Sequence, residues 1–372
     1  MKLLIVVNVD WFFLSHRLPV ALAAQQKGWD VTIVTADTGQ LKTIEAKGLR
    51  TVNLPMSRSG MNLLQELNTC WFLYKLYRRH QPDVVHHVAI KTILWGTLAA
   101  KFAKVHGVVN AISGLGGFFA EENQSLLSKV LPQVLRFSHH RENLLVIFQN
   151  QEDRQLYLNH RIITVSQARL IKGSGVDLAE YGYTPEPQTG KMVVLLTARM
   201  IVEKGVFVLT DAAERLRSAY EDQLEFWIAG GLDDHPGAIT QAQLEAVCDG
   251  HYIQWLGRRE DVKTLLQQCH IFAFPSYYME GLPKSLIEAC AIGRPIVTTH
   301  NIGCKDVVAD GVNGYLVPVK DSQALAEKIK LLIDHPDLRQ QMGLASRKVA
   351  EQHFSLDTVI KDHLAIYQEL IS

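Results

Sequence analysis

Short apolar runs alternate with amphipathic, helix-like stretches along almost the whole chain of 372 residues. Apolar runs of about four to eight residues are typical of strands buried on both faces, as in parallel sheets covered by helices. In the first half they predict strands at 3–7, 31–35, 84–88, 108–112, 144–148 and 162–165, separated by helices such as 18–27 and 92–105. In the second half they predict strands at 192–197, 224–229, 252–256, 271–274, 295–298 and 315–317. The pattern predicts an α/β fold of two doubly wound, Rossmann-like domains that face each other across a cleft.

One polar segment rich in proline and glycine, 173–190, separates the two halves and has the composition of a loop. We therefore predict an N-terminal domain over 1–172, a linker over 173–190 and a C-terminal domain over 191–354. The last residues, 355–372, are amphipathic and are predicted to form a helix that packs back toward the N-terminal domain, with Ser355 as its N-cap.

Charge and cysteine content narrow the class of protein. Lys and Arg total 38, as do Asp and Glu, so no net field favours nucleic acid as a partner. The 5 cysteines are scattered and form no zinc or disulfide pattern. No run reaches the roughly 18 apolar residues of a membrane-spanning helix. We expect a cytoplasmic protein, either soluble or bound to the cytoplasmic face of a membrane.

The segment Glu280-Gly-Leu-Pro-Lys-Ser-Leu-Ile-Glu288 follows a predicted strand and is the strongest candidate for a site. Pro283 suits the first turn of a helix, so Glu280 is expected in the preceding loop and Glu288 within the helix. The N–H groups of Gly281, Leu282 and Lys284 would then point toward an anion. Alternatively, two glutamates eight positions apart lie on a solvated face.

Two further loops of the second half follow strands. Arg199 and Lys204 come after 192–197, where a guanidinium and an ammonium can neutralise a diphosphate. A solvated turn with a Glu–Lys pair is the alternative. Gly230 and Gly231 come after 224–229 and would let the backbone approach a nucleotide, although a tight turn explains them equally well.

The first half has its own candidates at strand ends. Residues 10–19 are predicted to form the first strand-to-helix loop, and His16 and Arg17, at the start of the helix, can contact a donor sugar or an acceptor phosphate. That loop has no glycine, so the dinucleotide fingerprint is absent. Gly114 and Gly116 follow 108–112 and can bring backbone close to a sugar, while Lys91 follows 84–88.

Two stretches, 63–77 and 126–141, combine aromatic and aliphatic residues with basic ones. An apolar face with basic flanks can lie in a membrane interface. The alternative is a pair of core helices whose basic ends complement the helix dipole.

Taken together, these segments resemble the retaining glycosyltransferases of family 4, which have the GT-B fold of two Rossmann-like domains. The similar parts are Glu280-x7-Glu288, the Arg199 to Lys204-Gly205 turn, Gly173-Ser-Gly-Val-Asp177 and Pro275-Ser276. The first half is similar to a bacterial subgroup that adds a hexose or N-acetylhexosamine to a polyprenyl-diphosphate-linked sugar. The parts that carry this second likeness are 13–19, Ser57-Arg58, Lys91, 96–101 and 114–116. One departure is the bulky Trp11-Phe12-Phe13, where many family members have two glycines.

The resemblance implies roles for particular residues. Arg199 and Lys204 would hold the donor diphosphate, Glu288 the ribose and Glu280 the donor sugar. The donor would also contact Gly230, Gly231 and the backbone of Gly281 and Leu282. The catalytic residues would be Arg199, Lys204, Glu280 and His16. The acceptor would be bound by Arg17, Arg58, Lys91, Gly114 and Gly116.

The resemblance also implies the substrates. The donor is expected to be a nucleotide sugar, UDP-linked by analogy with the subgroup, and the acceptor a polyprenyl-diphosphate-linked saccharide of a bacterial surface polysaccharide such as lipopolysaccharide O-antigen. No cofactor and no essential metal are expected.

Two alternatives remain open. A UDP-sugar epimerase of the same fold would need a proton-abstracting group in the first half, for which Glu121, Glu122 and His87 are candidates. A non-catalytic sugar-nucleotide-binding protein would need none.

Overall fold

A computed structural model of the chain describes residues 1–56, 63–115, 126–188 and 190–371. The chain divides into two units. Unit 1 comprises Met1–Ser174 with Asp357–Ser372, and unit 2 comprises Gly175–Leu356.

Unit 1 is built, over its described residues, on one sheet of seven parallel strands. They are β1 (Lys2–Val7), β2 (Asp30–Thr35), β3 (Arg50–Asn53), β4 (Val84–Val88), β5 (Gly107–Ala111), β6 (Leu144–Phe148) and β7 (Ala168–Leu170). Their order is β3-β2-β1-β4-β5-β6-β7, so the direction of winding reverses between β1 and β4. This is the order of a doubly wound, nucleotide-binding sheet.

Unit 2 repeats the same order with six parallel strands among its described residues. They are β8 (Met192–Thr197), β9 (Leu224–Ala229), β10 (Ile253–Trp255), β11 (Ile271–Phe274), β12 (Ile296–Thr299) and β13 (Gly314–Val317). The order β10-β9-β8-β11-β12-β13 reverses between β8 and β11. Two sheets of one topology are the fold class that the apolar pattern predicted, so that prediction is confirmed.

Helices cover both faces of each sheet. Before the second sheet they are α1 (Asp10–His16), α2 (Leu18–Gln26), α3 (Leu41–Glu45), α4 (Leu63–His80), α5 (Ile90–Ala103), α6 (Leu126–His139) and α7 (Gln151–Asn159). Around and after it they are α8 (Val206–Tyr220), α9 (Gln241–Val247), α10 (Val262–Gln268), α11 (Lys284–Ile292), α12 (Ser322–Asp334), α13 (Pro336–His353) and α14 (Leu356–Glu369). In unit 1, α4 to α7 pack on one apolar face, whereas α1 to α3 and α14 pack on the other.

The predicted strands agree with the structure except in two places. The strand predicted at 162–165 is wrong, because Ile162 and Ile163 are buried in a turn that closes α7 and the strand follows at Ala168–Leu170. The pattern also missed β3, an edge strand whose residues Arg50–Asn53 are all at least partly exposed and lack an apolar run. Edge strands need less apolar surface than central ones, which hides them from a search for apolar runs.

Most of the segment predicted to be a linker, from Gly175 onward, is part of unit 2. Arg339 forms a two-pronged ion pair with Glu186, at 2.7 and 2.9 Å, and Arg347 donates to the carbonyl oxygen of Tyr181 at 2.8 Å. The last helix, α14, is part of unit 1 from Asp357 onward, and its Tyr367 is hydrogen-bonded to His86 at 2.5 Å.

Candidate active site

Three of the predicted residues of unit 2 come from loops that follow its two switch-point strands. Arg199 and Lys204 follow β8, and Glu280 follows β11, the neighbouring strand. In doubly wound sheets, ligands bind outside the carboxyl ends of the strands where the order reverses. The topology therefore puts these three residues where a ligand of unit 2 is expected.

Lys204 is an almost buried cation. It ends a short 3-10 turn, Val202–Lys204, and is 8% exposed. Its ammonium forms an ion pair with the carboxylate of Glu280 and lies 5.5 Å from the ring centre of Phe274 and 5.0 Å from that of Tyr278. A carboxylate and two aromatic faces thus hold the charge in place.

Gly205 explains how the chain turns directly after Lys204. Its φ of +80° lies in the left-handed region, and a Cβ there would stand 2.1 Å from the carbonyl oxygen of Pro275. Only glycine fits both the conformation and the contact. This close approach brings the loop after β8 against the loop after β11.

The loop that carries Glu280 is fixed by hydrogen bonds. The hydroxyl of Ser276 lies 3.3 Å from Glu280 Oε1 and 3.2 Å from the carbonyl oxygen of Glu203, and it donates its one proton to either oxygen. That same carbonyl accepts from the backbone N–H of Tyr277 at 2.8 Å, and Asn301 donates to the carbonyl of Tyr278 at 2.7 Å. The acid is therefore presented by a rigid loop.

Glu288 lies within α11 and is 8% exposed. Burial raises its pKa, although Lys284, whose ammonium is 3.5 Å away, and a hydrogen bond from the Tyr181 hydroxyl lower it. Pro283 is the N-cap of this helix, one position before the first turn where we expected it. A buried carboxylate with hydroxyl and ammonium partners can accept hydrogen bonds from sugar hydroxyls.

The neighbours of Glu280 are defined by packing. Leu282 is 7% exposed and belongs to an apolar core of unit 2. A Cβ added to Gly303 would stand 2.3 Å from the carbonyl oxygen of Gly281, so the chain at Gly303 passes directly over that residue. Contact of Gly281 and Leu282 with a donor stays a prediction.

Arg199 points toward the loop after β9. Its Nη1 lies 3.0 Å from Oδ2 of Asp233, and its side chain is 33% exposed, against 7% for Asp233. Gly230 in the same loop has a packing reason to be glycine, since a Cβ there would stand 1.7 Å from the carbonyl oxygen of Ala198. At Gly231 the nearest contact, with Arg258, would be an ordinary 3.4 Å. Their roles toward a donor stay predictions.

In unit 1, His16 and Arg17 separate although they are adjacent in sequence. His16 is half-buried, with its ring stacked on Phe12 at 4.0 Å between ring centres and Nδ1 2.6 Å from the Ser15 hydroxyl. Arg17 is 2% exposed, and burial lowers its pKa to about 10. The structure thus places the guanidinium predicted to bind acceptor inside the unit.

Of the other candidates for acceptor binding, the structure describes two, Lys91 and Gly114. Lys91 follows β4, at the switch point of unit 1, and its ammonium lies 2.8 Å from Oε1 of Glu66. Gly114 has a φ of +105°, which favours glycine. Arg58 and Gly116 lie outside the described residues.

Three acidic residues at these sites were not found from the sequence: Asp233, Glu66 and Asp10. Asp10 is fully buried and accepts hydrogen bonds from the Thr38 backbone and hydroxyl, at 2.6 and 2.5 Å, and from the backbone of Gln40 and Trp11. Burial raises its pKa, but these bonds outweigh burial and leave the pKa below its ordinary value. The available signal was a carboxylate a few residues after the end of a strand, as at Asp10 after β1 and Asp233 after β9.

His87, the epimerase candidate, is enclosed. It is 0% exposed, its Nε2 is 2.9 Å from the Tyr77 hydroxyl and its Nδ1 is 2.8 Å from Oδ1 of Asn110. Burial lowers its pKa to about 4. A histidine with both nitrogens engaged in the core cannot abstract a proton from a sugar. Glu121 and Glu122 lie outside the described residues.

Clusters of metal-binding side chains and membrane-spanning helices are both absent from the described ranges. No group of three or more His, Cys, Asp and Glu side chains there is arranged to hold a metal ion. Over the same ranges, none of the helices combines the length and apolar character needed to cross a bilayer.

Comparison with protein families assigns both halves of the chain. Residues 184–349 match the model of glycosyl transferases group 1, and residues 2–150 match that of glycosyl transferase 4-like proteins. The two matches are consecutive and do not overlap.

Two relatives extend over most of the chain. An N,N'-diacetylbacillosaminyl-diphospho-undecaprenol alpha-1,3-N-acetylgalactosaminyltransferase from Campylobacter jejuni is 26% identical, over 96% of this chain and 98% of its own. A UDP-Gal:alpha-D-GlcNAc-diphosphoundecaprenol alpha-1,3-galactosyltransferase from Escherichia coli is 22% identical, over 82% and 80%.

Among solved structures, HepE from Anabaena in complex with UDP aligns with a TM-score of 0.77 and 19% identity, over 99% of this chain and all of its own. A glycosyltransferase from Rickettsia africae aligns with a TM-score of 0.77 and 18% identity, over 100% and 98%. At these identities the likeness shows the fold, which is GT-B.

Proposed function

The chain belongs to the glycosyl transferases of group 1, and on this premise we propose that it moves a hexose or N-acetylhexosamine from a UDP-sugar to a polyprenyl-diphosphate-linked saccharide, with retention of anomeric configuration. Two relatives that cover most of the chain are named for transfer to undecaprenyl-diphosphate-linked sugars, and one is named for a UDP-linked donor. The product would belong to a bacterial surface polysaccharide or glycan.

The observation that carries the proposal is the ion pair between Lys204 and Glu280 at the switch point of unit 2. In the proposed complex, Lys204 and Arg199 bind the diphosphate, Glu280 binds hydroxyls of the donor sugar, and Glu288 binds those of the ribose. The donor is also contacted by the backbone of four residues, Gly230, Gly231, Gly281 and Leu282. Unit 2 is therefore the proposed donor unit.

The chemistry follows from these charges. The bond between the anomeric carbon and the diphosphate breaks, the acceptor hydroxyl attacks the same face, and a donor phosphate oxygen takes its proton. A diphosphate leaves without a strong general acid, so the protein contributes positive charge and orientation. Because two side-chain cations supply that charge, we propose that no metal is essential. His16 in unit 1 is the proposed contact to the reacting sugars.

The acceptor diphosphate needs cations of its own, and unit 1 supplies Lys91 at its switch point. Gly114 is the second described residue proposed on this side, and Arg58 and Gly116 are proposed from the sequence alone. Arg17 is buried, so its proposed contact with the acceptor requires a conformation that exposes its guanidinium.

We also propose that unit 1 rests on the cytoplasmic face of an anionic membrane. On α4 the exposed side chains Leu64, Leu67 and Trp71, at 78%, 50% and 54%, form one stripe. It continues into exposed Lys75 and Arg78, with the Lys75 ammonium 5.0 Å from the Trp71 ring. An apolar stripe with basic residues at its end fits the headgroup layer.

The test is a donor and acceptor screen. Purified protein is incubated with UDP-, GDP- and dTDP-sugars, with and without polyprenyl-diphosphate-linked saccharides and with and without EDTA, and nucleotide diphosphate release and the lipid product are measured. Release in EDTA that requires one UDP-sugar and the lipid together, with an α product from an α donor, supports the proposed donor, acceptor, stereochemistry and metal independence. Release without lipid favours the epimerase or a hydrolase, and loss of transfer in EDTA refutes metal independence.

A further inference from the structure

The loop formed by residues 230–239, the 233 loop, is bound to the segment that carries both proposed phosphate-binding cations. The backbone N–H of Met200 donates to the carbonyl of Gly231 at 3.1 Å, and that of Val202 donates to Gly237 at 2.9 Å. In return, Ile239 donates to Met200 at 2.9 Å. Three backbone hydrogen bonds therefore connect the 233 loop to the segment between the two cations.

Asp233 connects this loop to Arg199. One carboxylate oxygen lies 3.0 Å from Arg199 Nη1, and the other accepts the backbone N–H of His235 at 2.9 Å. The Asp233 side chain is 7% exposed and the Arg199 side chain 33%. The carboxylate is thus fixed from behind, while part of the guanidinium remains accessible to a ligand.

The same loop reaches the other cation. The rings of His235 and Tyr278 meet edge-to-face at 6.0 Å between centres, and the Tyr278 ring lies 5.0 Å from the Lys204 ammonium. A displacement of the 233 loop would therefore move groups that contact both proposed diphosphate-binding residues, Arg199 and Lys204.

Asp234, the next residue, provides an internal comparison. It has the same side chain in the same loop but is exposed to solvent. Charge alone is therefore not what distinguishes Asp233, since both residues would act alike on a diphosphate through long-range repulsion. The difference is the buried, hydrogen-bonded geometry of Asp233.

We propose that Asp233 is a positioning residue, which holds the Arg199 guanidinium in the orientation that binds the donor diphosphate. The inference rests on the proposed function. A guanidinium presents its N–H groups in a rigid fork, so a carboxylate on one edge determines where the other edge points. Groups that bind reacting phosphates act best when neighbouring residues fix their orientation in advance.

A double-mutant cycle tests this role. Donor kcat and KM, and the Kd of UDP by titration calorimetry, are measured for the wild type, Arg199→Ala, Asp233→Ala and the double variant. Asp233→Asn keeps an oxygen acceptor for Arg199, and Asp234→Ala is the matched control. Thermal denaturation checks folding, and Asp233→Ser replaces Asp233→Ala if that variant does not fold.

We expect kcat/KM to fall about tenfold in Asp233→Ala, to stay within about threefold of wild type in Asp233→Asn, and to be unchanged in Asp234→Ala. In the Arg199→Ala background, Asp233→Ala should cause no further loss, since residues that act through each other are not additive. A merely structural role for Asp233 gives additive losses.

Additive losses, or an Asp233→Ala variant that binds UDP as tightly as wild type, overturn the inference while the proposed function stands. If the wild type neither binds UDP nor releases it from any UDP-sugar, the proposed function fails, and the inference fails with it.

Discussion

The ammonium of Lys204 forms an ion pair with the carboxylate of Glu280, although 76 residues separate them in the sequence. They meet because β8 and β11 are neighbours in the sheet, and each residue lies in the loop after its strand. Their side chains are only 10% and 13% exposed, so water reaches neither charge well and each charge is stabilised mainly by the other. The pair is thus both a structural contact and the proposed centre of the donor site.

Replacing Lys204 with alanine should lower kcat about 100-fold, which is the scale for losing one preorganised charge donor. Arg199→Ala should have a loss of the same order. Both are measured as release of nucleotide diphosphate from the preferred donor. Lys348→Ala removes an exposed lysine of α13 and serves as the control, with expected wild-type turnover. Wild-type turnover in both site variants would refute the assignment.

The sequence was sufficient to predict that Arg199, Lys204 and Glu280 follow strands of the second half, and loops after parallel strands share one edge of a sheet. It was not sufficient to predict their partners. Asp233 lies 34 residues from Arg199, and Glu66 lies 25 residues from Lys91. Which carboxylate reaches which cation depends on loop conformation, which apolar patterns do not encode.

Glu288→Gln is expected to weaken donor binding and to stabilise the fold. The amide accepts from ribose hydroxyls without a charge, so the donor KM should rise about tenfold. Burial raises the pKa of Glu288 above 4.5, so its stability contribution is present below that pH and is lost as the pH rises through the raised pKa. Glutamine avoids the cost of ionising the buried carboxyl, and its Tm should exceed that of the wild type at pH 7 to 8.

The control for Glu288→Gln is Glu260→Gln, at an exposed position of unit 2. It should change neither KM nor Tm. The Tm difference between Glu288→Gln and wild type should shrink as the pH falls through the raised pKa of Glu288, and it should disappear below 4.5, where the carboxyl is protonated in both the folded and the unfolded wild type. A difference that persists there would mean that packing, and not ionisation, separates the two proteins.

Gly205→Ala tests whether the close approach of the two site loops is required. A Cβ at Gly205 would meet the Pro275 carbonyl at 2.1 Å, whereas one at Gly250 would meet nothing within 4 Å, and the φ angles are +80° and +78°. Gly250→Ala should therefore lower the free energy of unfolding by about 1–2 kcal/mol, because alanine is strained in the left-handed conformation. Gly205→Ala should cost more and should also lower kcat. Equal losses in urea denaturation, with unchanged kcat in both, would contradict this.

The fold was predictable where strands are central and apolar. Predicted bounds at 84–88, 144–148, 192–197, 224–229 and 271–274 coincide with the observed strands. The errors lie at the edges of the first sheet, at β3 and β7, because an edge strand is covered on fewer sides and so shows a weaker apolar pattern. The burial of Arg17 was also unpredictable, since a sequence does not show which of two adjacent polar residues, His16 or Arg17, turns inward.

Acid should destabilise unit 1 through its buried histidines. Burial lowers the pKa of His87 and His139 to about 4, that of His363 to about 3 and that of His86 well below 6.5. The contribution of these histidines to the free energy of unfolding is therefore fully present above pH 6.5. It is lost as the pH falls below 6.5, because the unfolded chain then binds protons that the folded chain does not. The loss is on the order of 1 kcal/mol per pH unit for each histidine.

Urea midpoints at pH 7.5, 6.0 and 5.0 measure this effect. His363→Gln should flatten the pH dependence, since His363 is buried near the guanidinium of Arg17 and its proton is excluded by both. His353→Gln, at an exposed position, should leave it unchanged. Equal slopes in the two variants would show that His363 does not contribute.

Membrane contact should depend on the stripe of α4. We expect the wild-type protein to float with vesicles containing phosphatidylglycerol and to be released as salt is raised, because the attraction of Lys75 and Arg78 to anionic headgroups is screened. Leu67→Ser with Trp71→Ser removes apolar surface and should abolish flotation while transfer to a short, water-soluble acceptor persists. Leu344→Ser, at a position 45% exposed in unit 2, is the control and should float like wild type. Wild-type flotation by the α4 variant, or none by the unaltered protein, would exclude this surface as the membrane contact.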